Sequence, residues 1–96
     1  MVPHWTMPNA LVLGNTMVMK PSELVPLSTV RMAELLKEAG LPDGVFNLVN
    51  GGKEVVESIC DHPDIEAVSF VGSTKVAKIV YKRATSNLKR CVALGG

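Results

Sequence analysis

The sequence predicts an α/β fold built on an open, Rossmann-like parallel sheet of about four strands with helices on both faces. Four short apolar runs, centred near residues 18, 47, 69 and 92, are separated by about 20 to 30 residues. Each gap contains one stretch in which apolar residues recur at helical spacing. This alternation is typical of right-handed β-α-β crossovers, which join neighbouring parallel strands.

The first half of the chain predicts two helices and two strands. A short helix near residues 7–13 precedes a strand at 16–19, with Gly14 as the residue that ends the helix. Pro26 fits the first position of a second helix, and Gly40 is its stop signal. The face of this helix at helical spacing is expected to carry Leu27, Val30, Ala33 or Glu34, and Leu36. Residues 45–49 then predict the second strand.

The second half repeats the pattern. A short helix with Cys60 on its apolar face is expected to stop before Pro63, and residues 67–71 and 91–94 predict two more strands. Between these strands, Ser73 can cap a helix. The expected inner face of that helix consists of Val76, Ile79, Val80 and Ala84.

Composition excludes several classes of function. Among the 96 residues, 47% are hydrophobic and 20% charged, which is typical of a packed domain. The net charge of +1 provides no basic surface for nucleic acid or for an anionic membrane. No apolar run is long enough to cross a membrane, and no secretory signal is expected at the N-terminus. Two cysteines fit a reducing compartment, so we expect a cytoplasmic protein, or a mitochondrial matrix protein if the source is eukaryotic.

Ligands of parallel sheets bind beyond the carboxyl ends of the strands, so the residues that directly follow the strands are the main candidates for ligand binding. After the first strand come Lys20, Pro21, Ser22 and Glu23. A carboxylate there can accept two hydrogen bonds from a ribose diol, and the ammonium can donate to the same sugar. The alternative is a solvated loop with a weak surface ion pair.

After the third strand, Gly72 and Ser73 open a helix. Free N–H groups and the positive end of a helix dipole make this position a candidate phosphate site. The alternative is an ordinary serine cap behind a glycine turn. Residues 50–52, which follow the second strand, predict a turn over which a bound nucleotide could pass.

Other reactive residues carry less weight. Cys60 and His62 do not share a helix face, which argues against a nucleophile–base pair, and Cys91 is expected to be an inert thiol in a buried strand. The sequence has no cluster of histidine, cysteine and carboxylate residues at the spacing of metal ligands. We therefore predict no catalytic residue and no metal site within the chain.

Three stretches together resemble the coenzyme domain of the aldehyde dehydrogenase superfamily. Their order and spacing match over essentially all 96 residues, and they cover residues 14–23, 36–47 and 70–74. Further stretches, at residues 61–64 and 89–96, are most similar to the CoA-acylating branch, the methylmalonate-semialdehyde dehydrogenases. The resemblance implies that residues 1–96 form a single partial NAD-binding domain. The family's coenzyme sheet lacks the usual glycine fingerprint, which is absent here too.

The resemblance also assigns roles. It places Lys20 and Glu23, with Ser22 beside them, at the adenosine ribose; a carboxylate there would repel a 2′-phosphate and favour NAD over NADP. It places Gly72 and Ser73 at the pyrophosphate, and it places one further residue, Val76, beside the adenine.

One departure from the family is informative. Hydrolytic members have a glutamate general base in the last strand, and Ala93 stands at that position. Alanine cannot accept a proton, so hydrolysis by that route is excluded, and transfer of the acyl group to CoA is expected instead. The resemblance puts the nucleophilic cysteine after this segment and the oxyanion-binding asparagine before it, so the chain alone is expected to be inactive.

These observations leave three hypotheses. The first is a fragment of an NAD-dependent dehydrogenase, a homo-tetramer in its full-length form, that converts malonate or methylmalonate semialdehyde to acyl-CoA with decarboxylation, as in valine or inositol catabolism. The second is a stand-alone, non-enzymatic nucleotide-binding or interaction module. The third is a ligand-free α/β domain whose motifs are inherited and unused.

Overall fold

A computed structural model describes residues 1–95 and confirms the parallel α/β fold class. Strands and helices alternate along the chain in the order α1, β1, α2, β2, α3, β3, α4, β4. The backbone divides into two compact units, unit 1 from Met1 to Gly52 and unit 2 from Lys53 onward. The strands pair within each unit, so the expected set of about four strands is present as two parallel pairs. No described helix is long and apolar enough to cross a membrane.

Unit 1 contains two helices and one pair of short strands. β1 and β2 run parallel in a register that aligns Met17 with Phe46. Both helices end as predicted, because Gly14 and Gly40 adopt the left-handed backbone conformation that closes a helix, with φ of 84° and 100°. The bounds of the elements are α1 Pro3–Val12, β1 Met17–Met19, α2 Leu27–Glu38 and β2 Phe46–Leu48.

The predicted inner face of α2 needs one correction. Leu27 is 79% exposed, and the buried residue of this helix is Thr29. Twelve helical residues extend about 18 Å, whereas a three-residue strand extends about 10 Å. The helix is therefore longer than the strand against which it packs, and Leu27 is its first residue.

Unit 2 has longer strands and a better defined core. Its elements are α3 Lys53–Asp61, β3 Ala67–Gly72, α4 Thr74–Ser86 and β4 Arg90–Gly95. The strands β3 and β4 pair in parallel over six residues, from Ala67 with Arg90 to Gly72 with Gly95. Cys60, Val80 and Ala84 form the fully buried cluster, and Phe70 packs against it.

The inner face of α4 is rotated relative to the prediction. Val80 and Ala84 are buried as expected, but the third buried residue is Ala77. Val76 and Ile79 are 40% and 57% exposed. Small alanine side chains bring the helix close to the sheet, and the larger side chains consequently lie on the outer side.

Polar side-chain contacts also join the elements of unit 2. Arg83 on α4 donates two hydrogen bonds to the Asp61 carboxylate at the end of α3, at 2.9 and 2.6 Å. Lys89, which precedes β4, is buried and donates to the backbone carbonyl oxygens of His62 and Ile65. These contacts fix the loop between α3 and β3 to the C-terminal end of α4.

Candidate nucleotide-binding site

Each unit places its candidate residues at the carboxyl ends of its own pair of parallel strands. In unit 1, Lys20, Ser22 and Glu23 follow β1 directly. In unit 2, Gly72 ends β3 and Ser73 begins the turn into α4. The six predicted binding residues are therefore gathered into two groups, one in each unit, and each group lies where parallel α/β proteins bind ligands.

The Lys20 side chain is held in place by backbone carbonyl groups. Its Nζ donates to the carbonyl oxygen of Pro21 at 2.6 Å and to that of Gly51 at 3.1 Å. The side chain is half-buried, and the adjacent Pro21 is buried. An ammonium group has three N–H donors. These two described bonds use two of them, and the third can donate to a sugar hydroxyl.

The Glu23 carboxylate lies against the turn that follows β2. A Cβ atom built on Gly52 would lie 2.7 Å from Oε2 of Glu23, which means that the carboxylate packs directly over this glycine. Ser22, between the two charged residues, accepts a hydrogen bond from the N–H of Leu24 at 3.3 Å and shapes the loop. Two opposite charges and one glycine turn thus share one edge of unit 1.

The beginning of α4 forms the second group. Ser73 is the helix N-cap, and its Oγ accepts a hydrogen bond from the N–H of Val76 at 3.4 Å. The end of β4 packs closely here, because a Cβ atom on Gly95 would lie 3.3 Å from the Cα of Thr74. N–H groups of a first helical turn point out of the helix end, towards the carboxyl ends of β3 and β4. The prediction of a serine cap is confirmed.

Val76 lies on the outer side of α4, within the first turn of the helix. Its side chain is 40% exposed, and Ile79 next to it on the same side is 57% exposed. Two exposed apolar side chains close to a helix N-terminus can pack against the adenine ring of a nucleotide whose phosphate groups lie at that terminus. The outward rotation of α4 is thus compatible with the role predicted for Val76.

The cysteines are not arranged for nucleophilic chemistry. Burial raises the pKa of the Cys60 thiol above its ordinary value, and the nearby Asp61 carboxylate adds to that rise. Burial also raises the pKa of Cys91. Both groups are therefore thiols at neutral pH, and a thiol is a poor nucleophile. His62 accepts a hydrogen bond from the N–H of Asp64, and among the described residues no group of three or more possible ligands could hold a metal ion.

One cavity lies away from both groups of candidate residues. It has a volume of about 500 Å³ and opens at the amino ends of β3 and β4, the end of this sheet away from Ser73. Its walls include Glu66, Lys89 and Arg90. It is distinct from the predicted binding groups.

Sequence reasoning missed the part that the glycines play. Residues 50–52 predicted a turn, but the Gly51 carbonyl bonds to Lys20 and the Gly52 backbone carries the Glu23 carboxylate. The signal was present in the sequence as two consecutive glycines directly after a strand. Lys89 was also missed as a structural residue, since lysine is rarely buried.

Comparison with known proteins identifies the family. The model of the aldehyde dehydrogenase family matches residues 1–96. The malonate-semialdehyde dehydrogenase of Lacticaseibacillus casei is 57% identical over all 96 residues, and the chain spans 20% of that protein. The malonate-semialdehyde dehydrogenase 2 of Oceanobacillus iheyensis is 59% identical over the same length.

Solved structures agree with this result. The methylmalonate-semialdehyde dehydrogenase of Oceanimonas doudoroffii matches with a TM-score of 0.98 and 56% identity. A putative methylmalonate-semialdehyde dehydrogenase of Sinorhizobium meliloti, solved in complex with NAD, matches with a TM-score of 0.98 and 51% identity. The match covers the whole of this chain and 20% of each solved chain. The chain therefore belongs to the aldehyde dehydrogenase family.

Proposed function

We propose that this chain is the part of an NAD-dependent, CoA-acylating malonate- or methylmalonate-semialdehyde dehydrogenase that contacts the adenosine ribose and the pyrophosphate of NAD. The observation that carries the proposal is the arrangement of Lys20 and Glu23 around Gly51 and Gly52. A fixed ammonium and a carboxylate at the carboxyl ends of two parallel strands provide the donor and the acceptor that a ribose diol requires.

The residues fit the coenzyme in charge as well as in position. A carboxylate accepts hydrogen bonds from both hydroxyls of an adenosine ribose, and it repels a phosphate at the 2′ position. NAD is therefore the preferred coenzyme of this site, in which Lys20 and Glu23 bind the ribose. When bound, NAD supplies a hydride acceptor for the oxidation of an aldehyde.

The second group of residues binds the phosphates. The helix dipole of α4 and the N–H groups of its first turn favour an anion beside Ser73 and Gly72. Gly72 has no side chain, and a Cβ there would lie 2.6 Å from Cζ of Phe70, so the glycine allows the turn to pack against this ring. Val76 adds apolar contact to the adenine. No strongly basic surface is needed, which agrees with the net charge of +1.

Acylation of CoA is the finer part of the proposal, and it rests on Ala93. This residue lies in β4, where hydrolytic relatives have the glutamate that activates water, and alanine has no group that can accept a proton. A thiol needs less activation than water because it ionises more readily. The thioester is consequently expected to be transferred to CoA.

The first experiment measures nucleotide binding to the chain itself. Titration of the ¹⁵N-labelled 96-residue protein with NAD should shift the amide signals of residues that follow β1 and β3, with weaker binding of NADP. Shifts confined to other residues would contradict the proposal, and the absence of any saturable shift would exclude a stand-alone nucleotide-binding module. Glu38, an exposed carboxylate on α2, provides a matched control, since Glu38→Gln should leave NAD binding unchanged.

The second experiment tests the reaction. The corresponding segment of the Oceanimonas doudoroffii enzyme is replaced by this chain, which matches it over its full length. The chimera should reduce NAD with malonate or methylmalonate semialdehyde and form acyl-CoA. In the same chimera, Ala93→Glu should divert part of the thioester to free acid. A folded chimera that binds NAD without reducing it would argue for the alternative, a non-enzymatic nucleotide-binding module.

A further inference from the structure

Two consecutive glycines follow β2, and they differ in backbone conformation. Gly51 has a φ of 152°, in the region that favours glycine, and its carbonyl oxygen accepts the hydrogen bond from Lys20. Gly52 has no positive φ, so its backbone conformation is accessible to any residue. The backbone therefore explains a glycine at position 51 and leaves the glycine at position 52 to be explained by its surroundings.

The side chain nearest to a Cβ at position 52 is that of Glu23. All three atoms closest to a Cβ built there belong to Glu23, namely Oε2 at 2.7 Å, Cδ at 3.6 Å and Oε1 at 3.9 Å. A separation of 2.7 Å is shorter than a normal contact between carbon and oxygen, so a side chain at position 52 and the carboxylate in its present place exclude each other.

The group that would have to move is the end of a flexible side chain. Glu23 is exposed, and rotation about its side-chain bonds can carry the carboxylate away without any change in the backbone. A methyl group at position 52 should therefore have little effect on the fold. The methyl group should instead displace the Glu23 carboxylate, which in the proposed function contacts the ribose hydroxyls.

We propose that Gly52 is a specificity-determining residue: by having no side chain, it allows the Glu23 carboxylate to lie where it accepts hydrogen bonds from the adenosine ribose and rejects a 2′-phosphate. This inference rests on the proposed function. It adds a residue that acts through Glu23 and that touches neither hydroxyl itself. The two glycines of this turn thus have different roles. The carbonyl oxygen of Gly51 accepts a hydrogen bond from the Lys20 ammonium, and Gly52 leaves space for the Glu23 carboxylate.

The test compares four proteins, namely the unchanged 96-residue chain, Gly52→Ala, Glu23→Ala and the double variant. The dissociation constants of NAD and NADP are measured for each by amide chemical shifts, and the quantity compared is the ratio of the NADP constant to the NAD constant. Hydrogen bonds to a charged group contribute about 1.5–3 kcal/mol, so Glu23→Ala should lower the ratio by about tenfold or more. Gly52→Ala should lower it by about three- to tenfold, while the melting temperature stays close to that of the unchanged chain.

The double variant shows whether the two positions act together. If Gly52 works through Glu23, then Gly52→Ala should change the ratio by less than about twofold in a protein that already lacks the carboxylate. Gly14→Ala is the matched control, because its methyl group would enter open space. That variant should lose some stability, since Gly14 has a positive φ, but should keep the ratio.

The outcomes separate the inference from the function on which it rests. If Glu23→Ala lowers the ratio and Gly52→Ala does not, the inference about Gly52 is wrong and the ribose site stands. An equally large effect of Gly52→Ala in the absence of the carboxylate also overturns it, because the glycine would then act on the backbone. If Glu23→Ala itself leaves the ratio unchanged, the proposed function fails, and the inference fails with it.

Discussion

The candidate binding residues of the two units are of different kinds. In unit 1 the candidate site consists of side chains, since an ammonium and a carboxylate are positioned by a glycine turn. In unit 2 it consists of main chain, since the end of a helix meets the ends of two strands. A site made of side chains changes with a single substitution, whereas a site made of backbone depends on the packing that holds the helix in place.

The hydrophobic cores of the two units also differ. Unit 1 buries Met7, Met19 and Thr29, which belong to three separate elements. Unit 2 has a contiguous cluster in which α3, α4 and both strands meet, and its strands are twice as long. The phosphate site proposed for unit 2 should therefore be sensitive to changes in the core of that unit and tolerant of changes to the side chains around Ser73.

The largest effect is expected from overpacking the core of unit 2. Ala84 has no exposed surface, and leucine at this position must push α4 away from the sheet. Ala84→Leu should lower the free energy of unfolding by about 3 kcal/mol. Chemical denaturation measures this change. Lys78→Leu places the same side chain on the exposed face of α4 and should change stability by less than about 0.5 kcal/mol. Equal losses in the two variants would contradict the packing of α4.

A smaller loss is expected when the buried amine of unit 2 is removed. Lys89→Met keeps most of the side-chain volume but leaves the carbonyl groups of His62 and Ile65 without their donor. The expected destabilisation is about 2 kcal/mol, because an unsatisfied polar group keeps its desolvation penalty. Thermal unfolding compares this variant with Lys82→Met, which alters an exposed lysine of α4. A neutral Lys89→Met would show that the two carbonyl groups are satisfied by water instead.

The cap of α4 tests whether unit 2 binds through its backbone. Ser73→Ala removes the acceptor for the N–H of Val76 and should lower stability by about 1 kcal/mol. The affinity for NAD should fall by no more than about threefold, since the helix dipole and the other N–H groups remain. Denaturation and NAD titration measure the two effects. Ser86→Ala, at the other end of the helix, should change neither. A tenfold loss of affinity would assign the phosphate contact to the hydroxyl.

One substitution should increase stability. Leu88 adopts a φ of 61° where α4 ends, and its side chain is 95% exposed. The backbone bonds around it, from Leu88 to Thr85 and from Lys89 to Ala84, are those of a helix terminus that favours glycine. Leu88→Gly should raise the free energy of unfolding by about 0.5 kcal/mol, because relief of the left-handed strain exceeds the added entropy of the unfolded chain. Leu88→Ala keeps the strain and should gain nothing.

Local signals predicted much of this fold, and distant contacts explain what they missed. The helix ends at Gly14 and Gly40 and the cap at Ser73 depend on residues close in sequence, so they could be predicted from the chain alone. The inner face of α4 could not, since alanine and valine fit the same period and tertiary packing decides between them. Lys89 is buried because of carbonyl groups on a loop more than twenty residues away.

The candidate site also has a part that local sequence predicts and a part that depends on distant contacts. The residues that carry charge, Lys20 and Glu23, stand out directly after a strand and could be predicted. What positions them comes from the turn after the neighbouring strand, and it becomes visible only when β1 and β2 are paired. A glycine that acts by leaving space produces no chemical signal in a sequence, because glycine is equally the usual residue of turns.

The smallest effect is expected from the ion pair between α3 and α4, and it depends on pH. The two hydrogen bonds from Arg83 hold the pKa of Asp61 below its ordinary value of 3.8. A carboxyl group whose pKa is lower in the folded state stabilises the fold at pH above its unfolded pKa, and this contribution is lost as the pH falls through the folded pKa. Asp61→Asn should therefore lower the melting temperature slightly at pH 7, and the difference from the unchanged chain should shrink below about pH 4. The pair is exposed to solvent, so added salt should also reduce the difference. In an Arg83→Gln background, Asp61→Asn should produce no such pH-dependent difference; if it does, the stabilising partner of the carboxylate is Asn87, which also donates to it, and not the arginine.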